Sequence, residues 1–329
     1  SPGLFPGPAA GPPTMARSLA LLGLCSLRPV VAAGPTLLAF GDWGGQDDHV
    51  TSTTAQKATA VGMAKIAASS KAEAALSLGD NFYRFGVKSS HSSRFSSTFE
   101  HVYEQRELQH LPFWVIAGNH DHRASVDAQI KYSKRSHRWH FPSLYYNLSY
   151  AWRASSGEPR SAELIMIDTV LLLGEDDEAC EFCPLKGPRD VALAEAEWSW
   201  IEARLRSSAA DHLWVVGHHP IYSVGQDGGQ PALLQRLLPL LKQYGAHYLD
   251  GHDHMAEHVV ADGVQMFVMG MGMECCYKAV KTDTVPKDFL QFMVSGPSAT
   301  GPQVGPKVGR HLIGGFASLA FEDEGTQIT

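Results

Sequence analysis

Seven residues with metal-binding side chains stand just behind short apolar runs that end in glycine: Asp42, Asp80 with Tyr83, Asn119, His218, and His252 with His254. The runs cover residues 37–40 before Gly41, 74–78 before Gly79, 113–117 before Gly118, 213–216 before Gly217 and 247–250 before Gly251. Carboxylate, phenol, amide and imidazole all offer oxygen or nitrogen to a first-row metal ion. Seven such groups suffice for two ions that share a ligand. Asp-Gly neighbours occur in ordinary turns, and a single Gly-His is more often a loop end than a ligand, but five repetitions behind buried runs are a poor coincidence. Two cations held in this way would neutralise an incoming phosphate and lower the pKa of bound water, which is the chemistry of phosphoester hydrolysis.

Side chains so far apart in sequence meet only if the strands behind them bring their ends together. Runs of this length bounded by glycine read as strands buried on both faces, and glycine at the strand end lets the backbone turn sharply while the next side chain points inward. Helical patterns fill residues 51–69, 190–207 and 231–244. In the second of these, Val191, Ala194, Trp198, Ile201 and Leu205 share one face, and Asp190 occupies the N-cap position. Strands alternating with helices predict a largely parallel sheet with ligands at its carboxyl edge. Residues 257–260, 264–269, 290–294 and 316–321 read as further strands that add a mostly antiparallel sheet. The fold class expected is α/β (α+β), a four-layer αββα sandwich of two mixed sheets flanked by helices.

The 329 residues, 44% hydrophobic, can bury one large core, and nothing reads as a linker between two. A formal net charge of −7 argues against a nucleic-acid partner, which would want a basic stripe. No apolar run approaches the roughly 18 to 20 residues of a bilayer span, so no membrane anchor is expected. Residues 1–33 read separately: an uncharged Gly- and Pro-rich leader precedes Met15, followed by Arg17, an apolar stretch at 19–27, and small Val31 and Ala33 at a cleavage site, the pattern of a secretory signal. The remaining domain, 34–329, is expected to be a monomer that is secreted or lysosomal. Cleavage removes Cys25 and leaves Cys180, Cys183, Cys275 and Cys276, which can pair outside the cytosol in three ways. Asn147-Leu148-Ser149 is a glycosylation triplet.

GDWGG at 41–45, GDNFY at 79–83, GNHDH at 118–122, GHHP at 217–220 and GHDH at 251–254 resemble the five signature blocks of the purple acid phosphatases, most of all the small tartrate-resistant animal form. The resemblance covers nearly all of residues 36–321, including AQIKYSKRSHRWHFPS at 128–143 and GPRDVALAEAEWSWIE at 187–202. Calcineurin-like relatives usually carry Asp-X-His in the first block, whereas position 44 is glycine here and Tyr83 is available instead. The resemblance implies that Asp42, Asp80, Tyr83 and His254 hold one metal and Asp80, Asn119, His218 and His252 the other, with Asp80 bridging. Two carboxylates and a phenolate favour a trivalent ion, so the implied pair is Fe(III) with Fe(II), Zn(II) or Mn(II). The implied activity is that of an acid phosphatase, in which metal-held hydroxide attacks phosphate monoesters: small molecules, nucleotides or phosphoproteins. His120 resembles the family histidine that meets the phosphate or leaving group. Asn81, Asp121 and His122 resemble residues that orient the ligands.

Two stretches depart from the family pattern or extend it. The Glu-His pair that usually follows the fourth block in animal relatives is replaced by Gln226 and Asp227. Gln226 is no proton donor, which leaves Asp227 as the candidate, against the plainer reading of GQDGGQ as a solvated turn. Residues 174–187, acidic at 175–178, match a loop that in the family lies over the active site. A disulfide from Cys180 or Cys183 to Cys275 or Cys276 would tether it; the rivals are a local Cys180–Cys183 bridge and the redox or zinc CxxC of a cytosolic protein. The chain stops soon after Phe321, where relatives continue for one or two strands. The competing functional readings are a phosphodiesterase or nucleotide pyrophosphatase on the same fold, and a non-catalytic iron-binding glycoprotein. Tyr83 weighs against the first, and His120 with the full donor set weighs against the second.

Overall fold

The computed structural model describes residues 34–174, 185, 187–294, 296 and 313–329. Its strands are Thr36–Phe40 (β1), Ala74–Ser77 (β2), Phe113–Val115 (β3), Trp139–His140 (β4), Tyr146–Arg153 (β5), Pro159–Met166 (β6), His212–Val216 (β7), His247–Asp250 (β8), Ala256–Ala261 (β9), Val264–Met269 (β10), Leu290–Val294 (β11), Ala317–Phe321 (β12) and Thr326–Ile328 (β13). The helices are Thr54–Ser70 (α1), Asn119–His122 (α2), Val126–Tyr132 (α3), Thr169–Leu173 (α4), Val191–Ser207 (α5) and Pro231–Tyr244 (α6). One sheet runs β13-β12-β1-β2-β3-β4 and the other β11-β9-β10-β8-β7-β6-β5. Both are mixed: the first is parallel from β1 to its β4 edge and antiparallel from β1 outward to β13, and the second is parallel through β10-β8-β7-β6 with antiparallel pairs at both ends.

The five glycine-ended runs are therefore divided between the sheets: β1, β2 and β3 in the first, β7 and β8 in the second. The late strands do not build a sheet of their own. β9, β10 and β11 extend the second sheet, while β12 crosses to pair antiparallel with β1. Alternation along each strand of the second sheet sorts its apolar side chains. Leu164, Met166, Trp214, Val216 and Leu249 join the core shared with the first sheet. Ile165, Ile167, Leu213, Val215 and Tyr248 instead pack with Trp198, Ile201 and Leu205 of α5 and Leu233, Leu237 and Leu241 of α6. Each buried Leu, Ile or Val contributes on the order of 2 kcal/mol, which is why these strands read as continuous apolar runs. On the other sheet, Ala60, Met63 and Ala64 of α1 join the same core as β1 and β2.

The caps follow from sequence. Thr53 accepts the Gln56 amide at 2.9 Å to open α1, and Asp190 accepts the Leu193 amide at 3.0 Å to open α5. Pro231 stands at the first positions of α6, and Gly245, with φ 66°, ends it. The α5 face differs from expectation at one end, where Val191 is 63% exposed. Its buried side instead includes Glu197, whose Oε1 accepts the Asp168 amide at 2.7 Å. The β5–β6 hairpin went unforeseen because its first strand alternates buried and exposed residues and neither ends in a glycine tip.

Candidate dimetal site

The tips of β1, β2, β3, β7 and β8 meet, and the chain turns there in a way the glycines alone do not explain. Among the five tip glycines only Gly79 takes a positive φ, 96°; at three of the tips the donor itself adopts the left-handed region, Asp42 at 58°, Asp80 at 52° and His252 at 69°. The other glycines serve close approach. A Cβ on Gly118 would strike the Asp80 carboxylate, and one on Gly251 would lie 2.6 Å from Asp42 Oδ2. Buried Arg94 staples two tips together, donating to the carbonyls of Gly44 and Tyr83, each at 2.7 Å. The His252 amide donates to Asp42 Oδ2 at 2.8 Å and so joins the β8 tip to the β1 tip across the two sheets.

The donors fall into two touching groups. In the first, the Tyr83 hydroxyl lies 2.9 Å from both Asp42 Oδ1 and His254 Nε2. In the second, His218 Nε2 lies 3.0 Å from Asn119 Oδ1 and 3.3 Å from His252 Nδ1. Asp80 joins them: Asp42, Asp80 and His218 each offer a donor atom within 4.8 Å of the others. The tautomer of His218 is set from behind, because its Nδ1 donates to the Leu78 carbonyl at 2.9 Å and leaves the Nε2 lone pair facing inward. All seven side chains come together as their spacing foretold, six of them buried and His252 nearly so.

Their electrostatics suit a cation. Burial works against the charged form of Asp80, yet the His218, His120 and His252 imidazoles outweigh it and hold the carboxyl at about 2. Burial, then the Asp42 and Asp80 carboxylates, push the Tyr83 phenol well above its usual range. Burial opposes protonation of His254, but hydrogen bonds to Asp42 and Glu274 win and lift it to about 10. Protons on Tyr83 and His254 thus sit between carboxylates, where a highly charged cation would replace them. The donor set fits a metal pair, its harder half on the Asp42–Tyr83 side.

Residues 35–256 match the calcineurin-like phosphoesterase family. Mouse tartrate-resistant acid phosphatase type 5 is 37% identical over 287 residues, covering 86% of both chains. The chain belongs to the purple acid phosphatase family. Purple acid phosphatase 17 of Arabidopsis thaliana is 27% identical, covering 79% of this chain and 75% of its own. Among solved structures, GAP50, the anchor in the inner membrane complex of Plasmodium, superposes with a TM-score of 0.67 at 22% identity, covering 90% of this chain and 84% of its own. At that identity the likeness concerns the fold alone.

Around these side chains the chain places a ring of supporting groups, some of them not expected from sequence. Asp121 accepts the amides of Gly118 and Asn81, and the Asn81 side chain donates to Asp121 and the Ile116 carbonyl. The pair locks the β2 tip to the β3 tip. His122 Nε2 meets Asp168 Oδ2 at 2.8 Å. Glu274, unremarked in the sequence, stands behind His254: its Oε1 lies 3.2 Å from His254 Nδ1, while Tyr277 stacks on the same ring at 4.4 Å. Asp253, between the two block-five histidines, was also missed. It accepts from Ser223 Oγ and from the amides of Asp227 and Gly228. Ser223 Oγ stands 2.6 Å from both Asp253 and Glu257, and one hydroxyl proton cannot serve two carboxylates. Glu257 supplies the second, since burial, then the Asp253 charge, raise it to about 8.

A cleft of about 450 Å³ opens over the donors. Asp80, Tyr83, Asn119, His120, His252 and His254 line it, together with Asp227 and Lys281. The 223–228 segment is thus a turn clamped by Asp253, and it brings Asp227 to the cleft. His120 packs against Tyr83 with ring centres 4.4 Å apart and its Nδ1 2.7 Å from the Arg84 carbonyl. Leu173, Leu185 and Pro188 border the cleft, whereas Cys180, Cys183 and the acidic residues 175–178 lie outside the described residues. Cys275 and Cys276 are both buried, and the loop cysteines of the tether considered from sequence lie outside the described residues. Asn147 is exposed on β5.

Proposed function

We propose that this chain hydrolyses phosphate monoesters in acid with an unequal metal pair: Asp42, Asp80, Tyr83 and His254 holding Fe(III), and Asp80, Asn119, His218 and His252 holding Fe(II), Zn(II) or Mn(II). The observation that carries the reading is the meeting of a phenol, a carboxylate and an imidazole at Asp42–Tyr83–His254, beside the neutral group Asn119–His218–His252, with Asp80 shared. When bound, such a pair supplies the positive charge that holds a phosphate and the lowered water pKa that provides a nucleophile. The chain's own residues do the rest. His120, packed against Tyr83, meets the phosphoryl group, and Asp227, which also lines the cleft, gives a proton to the departing oxygen. The left-handed tips and the Asp121, Asp253 and Glu274 braces fix the donors before substrate arrives, so little reorganisation is left for the reaction. The secretory-signal pattern at 15–33 and the exposed Asn147 triplet support export as a glycoprotein.

Metal analysis of the purified protein should return iron with a second ion, and a visible charge-transfer band. Tyr83→Phe should abolish that band. A band that survives the substitution, or a protein that cleaves a bis-ester in preference to an aryl phosphate at about pH 5, overturns the reading.

A further inference from the structure

His219 follows a metal-donor histidine but does something else. Its side chain is 1% exposed, it lines the cleft, and its ring centre lies 4.4 Å from that of His252 and 5.1 Å from that of His218. The His219 amide donates to Thr169 Oγ1 at 3.1 Å, and His219 Nδ1 stands 2.8 Å from the same oxygen. Thr169 is fully buried, and its hydroxyl proton has no other acceptor among the described residues. That proton therefore goes to Nδ1, and the imidazole carries its own on Nε2. Nε2 is buried and has no partner among the described residues. An unmet buried donor is costly, and what can complete this one is the cleft's content.

We infer that His219 Nε2–H donates a hydrogen bond to a non-bridging oxygen of the substrate's phosphoryl group. The neighbours of His219 point to the phosphoryl group rather than the leaving group, because its ring stands beside two donor imidazoles of the neutral metal group. The inference rests on the monoesterase reading and narrows it, naming a phosphate contact that lies outside the metal donors and outside the Gln226–Asp227 turn.

The test compares His219→Phe, which keeps the ring's bulk, and His219→Gln, which keeps a donor, with the unaltered metal-loaded protein. The readouts are inorganic phosphate affinity by calorimetry, metal content, and kcat/KM for aryl phosphates of graded leaving-group pKa. Hydrogen bonds to charged groups are worth roughly a 10- to 100-fold effect. His219→Phe should weaken phosphate binding by about that factor at unchanged metal content and lower kcat/KM evenly across the series, and His219→Gln should recover much of both. Unchanged phosphate affinity in His219→Phe overturns the inference. So does a loss of metal in both variants, or a kcat/KM loss that grows with leaving-group pKa. Failure of the unaltered protein to hydrolyse any monoester would instead overturn the function proposed above, while calorimetry would still report on His219.

Discussion

The two donor groups share Asp80 and little else. On one side, Asp42, Tyr83 and His254 bring a carboxylate and a phenol, and Glu274 stands behind the imidazole. On the other, Asn119, His218 and His252 bring no charge of their own, and the imidazole of His218 is backed by a carbonyl of the main chain. The difference teaches that selectivity is written into what stands behind each donor as well as into the donor. A carboxylate behind an imidazole makes it a stronger base and suits a harder, more highly charged ion, whereas a carbonyl only fixes the tautomer.

The sharpest way to break this comparison is at the shared residue. Asp80→Ala should empty both positions and abolish turnover, whereas Asn119→Ala should cost only the divalent ion and leave the visible band in place. If metal analysis finds both ions gone from Asn119→Ala, the two groups are one site and the contrast fails. A smaller effect is expected at Glu274. Loss of such an outer partner typically costs about 10- to 100-fold in metal affinity or activity, so Glu274→Gln should bind iron more weakly and shift the band, with the divalent site intact by competition with a chelator. The smallest effect concerns the strut beneath both groups. Glu257 has a folded pKa near 8, raised from an ordinary value of 4.5. A raised pKa gives stability that is complete below the unfolded value and is lost as pH climbs through the folded one. Melting temperature of the metal-depleted protein should therefore decline between about pH 4.5 and 8, and Glu257→Gln should flatten that slope.

What could be read in advance divides along the same lines. The donors were legible because each follows a buried strand, and burial on both faces leaves a continuous apolar run that announces its own end. The α5 cap at Asp190 and the α6 start at Pro231 were legible for similar local reasons. Glu274, Arg94 and Asp253 were not, since their partners are 20, 50 and 30 residues away and nothing beside them in the chain differs from a surface polar residue. The division of the five tips between two sheets was also hidden: strand order is a long-range property, and β12 returning to β1 leaves no mark in its own five residues.

The left-handed backbone at Asp42, Asp80 and His252 has a consequence for how such a site endures. A non-glycine residue held there costs about 1 kcal/mol or more, and at these three positions glycine would relieve that cost while removing a ligand. The most stable version of this chain and the version that can hold metal are therefore different sequences, and the site lasts only while its function is under selection.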